Sequence, residues 1–146
     1  MKTELTQQLI RTYPNLFRDL TTIQCGDGWY NLIDIVCRLI QGYANRNVVD
    51  ISAQPIFAQI KEKFGVLSIY YQDTTHEYIF GITDFAEHLS GQVCEVTGEP
   101  GTLHRLRSGT IKTLSRGVAE PMLATPVVPY HVIGDVLATP IDDNTV

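Results

Sequence analysis

Basic side chains are concentrated in one short region of the chain, at His104, Arg105, Arg107 and Lys112. If this region forms strands, the alternation of side chains places Arg105 and Arg107 on one face. Together with Lys112 they could then bind a phosphate or another small anion. A solvated face that balances the acidic C-terminal segment is the alternative, and the residue pattern leaves both interpretations open.

A second possible binding element is the turn CGDGW at residues 25–29. Backbone amides at the start of a helix, with Asp27 as an acid and Trp29 as an aromatic platform, could receive a ligand. An aspartate at this place repels phosphate, however, and Asp27 is also well placed to cap the helix that follows. The pattern therefore favours capping over ligand binding.

Candidates for catalysis are weak. Cys37 could act as a nucleophile with a histidine, but it lies in a strongly apolar helical pattern, where a thiol usually packs as a small core side chain. His76, Glu87 and His88 form neither a histidine pair at i and i+4 nor a carboxylate cluster. The sequence thus predicts no enzymatic activity, no metal site and no cofactor.

The elements that position these residues are organised around a predicted β-hairpin at residues 56–71, IFAQIKEKFGVLSIYY. Apolar residues alternate along both strands, which is typical of half-buried strands. Gly65 ends the charged loop of residues 61–65 and can adopt the left-handed conformation that short hairpin loops require. The expected core positions are Ile56, Ala58 and Ile60 in the first strand and Leu67, Ile69 and Tyr71 in the second.

Two or three helices are expected to cover the hairpin. The first begins at a Thr3 cap and ends at Tyr13, because Pro14 forces the preceding residue out of helical geometry. The second follows Asp27, is apolar on most of its circumference and is expected to end at Gly42.

The third helix is predicted from a capping box, with Thr74 as the cap and Glu77 three residues later, and Gly91 is expected to end it. A short edge strand is predicted at residues 48–51. The expected apolar face of the third helix consists of Ile79, Ile82, Phe85, Ala86 and Leu89.

The C-terminal part divides into a ribbon and an arm. Residues 103–106 and 110–114 are predicted to form two strands joined at Ser108 and Gly109. From Gly117 the chain is rich in proline yet apolar, which indicates an extended arm docked on this domain or on a neighbouring subunit. We therefore expect an α+β domain at residues 1–116, with the ribbon at 92–116, and an arm at 117–146.

The ordered motifs CGDGW (25–29), QIKEKFG (59–65), CEVTGEPG (94–101) and IKTL (111–114) resemble a family of small uncharacterised bacteriophage and prophage proteins. The resemblance covers roughly residues 10 to 115. It implies a zinc-ribbon-like end, in which family members carry CxxCG and a second thiol pair after the Thr-Leu. This chain has Cys94 alone, with Thr97 and Ser115 at expected ligand positions, so the resemblance implies a degenerate ribbon without zinc and assigns no activity.

Composition limits the remaining classes. The chain has 146 residues, a net charge of −5 and a pI of about 5.2, which suits one domain and argues against a general nucleic-acid binder. Three cysteines are too few for a disulfide scaffold, and the sequence shows neither a signal-peptide pattern nor a membrane span. A soluble, cytoplasmic protein is expected.

Three functions follow as hypotheses. The first is a phage-encoded, non-enzymatic protein that binds and inhibits or redirects a host protein, for example one of a defence system. The second is an oligomer, assembled through the arm, that sequesters a nucleotide signal. The third is a nucleic-acid-binding protein derived from a zinc ribbon, which the acidic balance disfavours.

Overall fold

The computed structural model describes residues 1–47, 54–72 and 76–127, together with two short strands further along the chain. The fold is α+β, as predicted, with helices and small antiparallel sheets. Among the described residues, no helix combines the length and the apolar character that crossing a bilayer requires.

The helices are α1 (Thr3–Thr12), α2 (Tyr30–Arg46), α3 (Glu77–Ser90) and α4 (Arg116–Ala119). The strands are β1 (Ile56–Lys63), β2 (Val66–Gln72), β3 (Thr102–Arg105), β4 (Ile111–Leu114), β5 (Thr125–Pro126), β6 (Val132–Ile133) and β7 (Val136–Leu137).

The predicted hairpin is confirmed, with a tighter turn than the sequence suggests. Lys63 pairs with Val66, so the strands extend through the charged residues and only Phe64 and Gly65 form the loop. Their φ angles are 51° and 87°. Two positive φ values in succession match the two-residue turn whose twist suits a hairpin.

The predicted alternation in β1 is wrong at Ala58. Phe57 pairs with Tyr71 and Gln59 pairs with Tyr70, which leaves Ala58 as the extra residue of a β-bulge. The bulge turns Ala58 to solvent and buries both Phe57 and Ile60 completely. A larger apolar side chain thus replaces Ala58 on the core face.

Helix α2 lies at the centre of the core, as its apolar circumference predicts. Its residues Ile33, Cys37 and Ile40 have no exposed surface. Elsewhere in the same core, Phe17 packs edge to face on Phe57 of β1, with ring centroids 5.0 Å apart. The predicted end at Gly42 is wrong, since α2 continues to Arg46. A single glycine costs only about 1 kcal/mol in a helix, and the burial of the next turn through Ala44 outweighs it.

Helix α1 ends where Tyr13 and Pro14 predict, but Thr3 is its first residue and not its cap. Helix α3 begins at Glu77 with His76 in the cap position, and the predicted cap Thr74 lies outside the described residues. Gly91 follows the last residue of α3, as predicted. The predicted strand at 48–51 also lies outside the described part of the chain.

The apolar face predicted for α3 is only partly correct. Ile79 and Ala86 are buried, but Thr83 and Ser90 complete the buried stripe. Phe85 is 68% exposed and Leu89 is 36% exposed. The helix is therefore rotated relative to the position that its apolar pattern alone would favour.

The ribbon strands are confirmed, with β3 and β4 antiparallel and a turn that contains Gly109 at a φ of 89°. Strand β5 adds to the other edge of β3, and Ala119 of α4 is buried. The described body therefore continues to residue 127, past the boundary expected at residue 116. Strands β6 and β7 pair with each other.

Candidate functional site

The structure does not bring the predicted basic residues together. Arg105 pairs with Ile111 while Lys112 pairs with His104, so Arg105 and Lys112 project from opposite faces of the ribbon. Arg105 and Arg107 are exposed, and the Arg105 guanidinium donates to the Gly109 carbonyl over 3.4 Å. The geometry therefore gives no convergent anion site from these three side chains.

Asp27 and Trp29 also have other roles than those expected. Trp29 is completely buried, and its Nε1 donates to the Val93 carbonyl over 2.8 Å, so it offers no platform to a ligand. Asp27 does not cap α2, because it is the first residue of a 3-10 turn (Asp27–Trp29) that precedes the helix. Its carboxylate accepts from the Lys2 amide at 2.7 Å. That hydrogen bond, with the nearby Lys2 ammonium, lowers the pKa of Asp27.

The sequence motifs instead meet at one place, which we call the ribbon junction: residues 25–29, 62–65, 94–98 and 112–115. Here the Gly26 amide donates to Glu95 Oε1 over 2.9 Å, and the Gly28 amide donates to the Glu95 carbonyl over 2.8 Å. On the other side, Thr113 Oγ1 donates to the Gly65 carbonyl over 2.6 Å. The junction joins the start of α2, the tip of the hairpin and the ribbon.

A partly buried charge network crosses the junction. Lys112 Nζ lies 2.9 Å from Glu62 Oε2 and 2.8 Å from Glu95 Oε2, and Glu95 is only 5% exposed. Burial favours the neutral amine, but hydrogen bonds to the two carboxylates outweigh it and raise the pKa of Lys112. Lys112 thus holds two strands of the hairpin and ribbon together and is not available to a ligand.

Cys94 occupies the position where the resemblance expects the first ligand of a zinc knuckle. Its backbone forms a tight turn in which the Gly98 amide donates to the Cys94 carbonyl over 2.9 Å, with Gly98 at a φ of 78°. Burial alone would raise the pKa of its thiol, but hydrogen bonds from Thr97 and Ser115 outweigh it and lower that pKa. One thiol beside two hydroxyls is a poor set for zinc, which takes thiolate, imidazole and carboxylate ligands. No group of three or more such side chains occurs in the described residues.

The remaining cysteines are structural. Burial raises the pKa of the Cys25 thiol to about 12 and raises that of Cys37 further. A nucleophilic thiol needs the opposite shift. Both therefore act as small apolar side chains, as predicted for Cys37.

One surface was not anticipated from the sequence. The outward sides of α2 and α3 form an apolar groove of about 290 Å³, lined by Leu39, Tyr78, Gly81, Ile82 and Phe85. The sequence did contain an indication of this surface, because the α2 segment is apolar on most of its circumference. The same pattern also fits a helix that is buried on all sides, so it did not predict an exposed face. We call these five residues, with the adjacent exposed Ile35 and Leu89, the α2/α3 face.

Comparison of the chain with protein-family models, with curated proteins and with solved structures finds no match. The function therefore has to be inferred from the ribbon junction and the α2/α3 face.

Proposed function

We propose that this chain is a non-enzymatic binding protein that covers a surface of another protein through its α2/α3 face. The exposure of this face is the observation that carries the proposal: Phe85 is 68% exposed, Tyr78 43% and Leu39 42%. Clustered apolar and aromatic side chains around a shallow groove are typical of protein interfaces and are uncommon on the surface of a monomer.

The orientation of α3 strengthens this interpretation. The helix turns the hydroxyls of Thr83 and Ser90 inward and presents Phe85 and Leu89 to solvent. Burial of apolar side chains alone would favour the reverse orientation. The inward hydroxyls are satisfied, because Ser90 Oγ accepts from the Leu67 amide over 2.8 Å and Thr83 Oγ1 donates to the Ile79 carbonyl over 3.1 Å.

The resemblance to phage proteins supports a host protein as the partner, for example one of a defence system, and the host cytoplasm as the place of action. Self-association through the same face or through the C-terminal arm is a competing form of this proposal. The nucleotide-sequestering alternative has less support, because Arg105 and Lys112 lie on opposite faces of the ribbon. The nucleic-acid alternative has no support beyond the ribbon itself, and the net charge of −5 argues against it.

The test compares how well two variants retain the partner, each with one exposed phenylalanine replaced by glutamate. Phe85→Glu places a charge in the groove, whereas Phe64→Glu makes the same change at the hairpin turn, where Phe64 is 74% exposed. Each tagged variant and the original chain is used to retain proteins from a bacterial host lysate. A central interface residue contributes at least about 2 kcal/mol, so Phe85→Glu should weaken retention of the partner roughly 30-fold.

The Phe64→Glu variant should retain the partner as the original chain does. Circular dichroism and the solution mass of each variant establish that both remain folded and report any self-association. Equal retention by all three proteins would contradict the role of the α2/α3 face, and the absence of any stoichiometric partner would contradict the proposal as a whole.

A further inference from the structure

The outward sides of α2 and α3 present two neighbouring rows of apolar side chains. The row on α2 consists of Ile35 and Leu39, and the row on α3 consists of Tyr78, Ile82, Phe85 and Leu89. The row on α3 follows the alternating spacing of four and three residues that is typical of a helix packed on another helix. The α2/α3 face therefore has the form of a helical layer that a second helical layer can cover.

The two helices run in opposite directions. Tyr43, near the end of α2, stacks on Tyr78, near the start of α3, with ring centroids 4.6 Å apart. One turn earlier in α2, Leu39 lines the same groove as Phe85, which lies two turns further along α3. Residues towards the end of α2 are therefore level with residues towards the start of α3.

The outer borders of the face carry opposite charges. Arg38 and Arg46 are exposed on α2, and Glu77 and Asp84 are exposed on α3, with each pair separated by about two helical turns. Arg38 also contacts Asp34 of its own helix at 3.0 Å, but a guanidinium has five N–H donors and can bind a second carboxylate. Among the described residues, neither Glu77 nor Asp84 forms an ion pair.

We propose that, when no other protein is bound, a second copy of this chain covers the α2/α3 face. A two-fold axis parallel to the helices places α2 of one copy over α3 of the other. Because α2 and α3 are antiparallel, this axis brings Arg38 of each copy level with Asp84 of the other, and brings Arg46 close to the level of Glu77. The apolar rows then close on each other between the charged borders.

The charges also select this arrangement over the alternative. A two-fold axis across the helices would place α2 on α2 and α3 on α3. The basic border would then face itself, as would the acidic border, and like charges opposed in this way are unfavourable. The face is thus complementary to a copy of itself in one orientation.

The size of the face indicates a dimer that dissociates readily. Helix α3 has 14 residues, which makes it about 21 Å long. Two helices of this length packed on a second pair bury on the order of 1,000 Å² in total, at the low end of specific interfaces. The inference rests on the proposed function, since it uses the same face, and it adds a form of regulation: a protein partner binds the chain only after the two copies separate.

The solution mass of the full chain is the first test. Sedimentation equilibrium over a wide range of concentrations should show a transition from the monomer mass of 16.3 kDa to twice that mass. Phe85→Glu should abolish the transition, because it places a charge between the apolar rows. A chain that stays monomeric at every concentration would overturn the proposal. A dimer that Phe85→Glu leaves intact would also overturn it, because that dimer forms through another surface.

Charge reversal tests how the two copies are arranged. Asp84→Arg sets like charges against each other at both symmetry-related contacts and should raise the Kd of the dimer about tenfold. Adding Arg38→Glu to this variant reverses the whole pair and should return the Kd to within about threefold of the original. Glu87→Arg is the matched control, because it makes the same change on the side of α3 opposite to Phe85 and should leave the Kd unchanged.

Circular dichroism establishes that each of these variants is folded. With all of them folded, a double variant that dimerises no better than Asp84→Arg alone would overturn the arrangement of α2 against α3. A Kd that Glu87→Arg raises as much as Asp84→Arg does would overturn it as well, because the effect would then come from net charge.

The dimer and the proposed function can fail separately. A chain that is monomeric, yet loses its partner from the lysate through Phe85→Glu, would overturn the dimer and leave the proposed function standing. A dimer that follows the charge reversals, with no partner retained from the lysate, would support this inference and contradict the proposed function.

Discussion

At the scale of single residues, the glycines of the CGDGW motif are explained by packing. A Cβ at Gly28 would lie 2.2 Å from the Cys94 carbonyl oxygen and 2.4 Å from the Gly98 nitrogen. Both are backbone atoms, so no side-chain movement could make room. The motif therefore allows the start of α2 to approach the turn at residues 94–98 closely, and this replaces the ligand-binding interpretation.

We expect Gly28→Ala to destabilise the protein by about 3 kcal/mol, because overpacking against backbone forces the junction apart. Gly81→Ala is the matched control, since a Cβ at Gly81 meets nothing within 4 Å in the middle of α3. That change should stabilise by about 0.5–1 kcal/mol through helix propensity. Urea denaturation of the two variants measures both effects, and equal stabilities would contradict the packing role.

Residue types in the sequence indicated that these glycines were constrained, but not what constrained them. The partner of Gly26 is Glu95, which lies 69 residues further along the chain. The same distance problem applies to Lys112, whose basic neighbours in sequence suggested an anion site. Its actual partners, Glu62 and Glu95, come from two other segments, and no local pattern could have paired them.

At the scale of elements, periodicity predicted the hairpin and α2 well and predicted their faces less well. Alternation in β1 fits Ala58 inward, yet the bulge buries Phe57, and burying the larger side chain gains more free energy. In helix α3 the smaller polar side chain is the one buried, because Ser90 Oγ accepts from the Leu67 amide and so holds this side of the helix toward β2. Such backbone requirements are tertiary and do not appear in an apolar pattern.

The boundary of the folded body can be tested by truncation. A chain that ends at Val127 keeps β5 on β3 and the bond from the Val127 amide to the Leu103 carbonyl at 2.8 Å. A chain that ends at Arg116 loses both, together with the buried Ala119. The shorter chain should melt several degrees lower, since about 1 kcal/mol shifts the melting temperature of a domain this size by about 4 °C.

The longer truncation is the control and should melt close to the full chain. Equal melting temperatures of the two truncations would place the end of the folded body before β5, as the sequence suggested. Their solution masses, beside that of the full chain, show in the same experiment whether residues 128–146 are needed for any self-association.

At the scale of the whole molecule, the ribbon junction makes the body one unit and leaves the α2/α3 face outside it. Cys25 and Cys37 lie in the core and Tyr71 packs against it, and burial raises the pKa of all three side chains. The ionisation of these three groups is therefore coupled to the stability of the fold. It also gives the protein a predictable response to alkaline pH.

Stability should fall as the pH rises above about 9. The Cys25 thiol has a folded pKa of about 12 against an ordinary value of 9.0, and Tyr13 is raised to about 12 by burial and by its hydrogen bond to Asp34. At a pH between the ordinary pKa of such a group and its raised pKa in the folded chain, the unfolded chain releases a proton that the folded chain retains. This difference favours unfolding as the pH rises. Lys112 acts in the same direction at higher pH, because its stabilising charge is lost as the pH rises through its raised pKa.

Each buried thiol should lower the free energy of unfolding by about 1.4 kcal/mol per pH unit in this range. Urea denaturation at half-unit steps from pH 7 to 11 measures how steeply the free energy of unfolding falls. The Cys25→Ala variant should show a shallower fall, because it lacks the contribution of one buried thiol. Cys94, with its lowered pKa, acts oppositely and stabilises the fold as the pH rises toward 9. A curve that is flat above pH 9, or a Cys25→Ala variant with an unchanged slope, would show that these thiols are exposed and not part of the core.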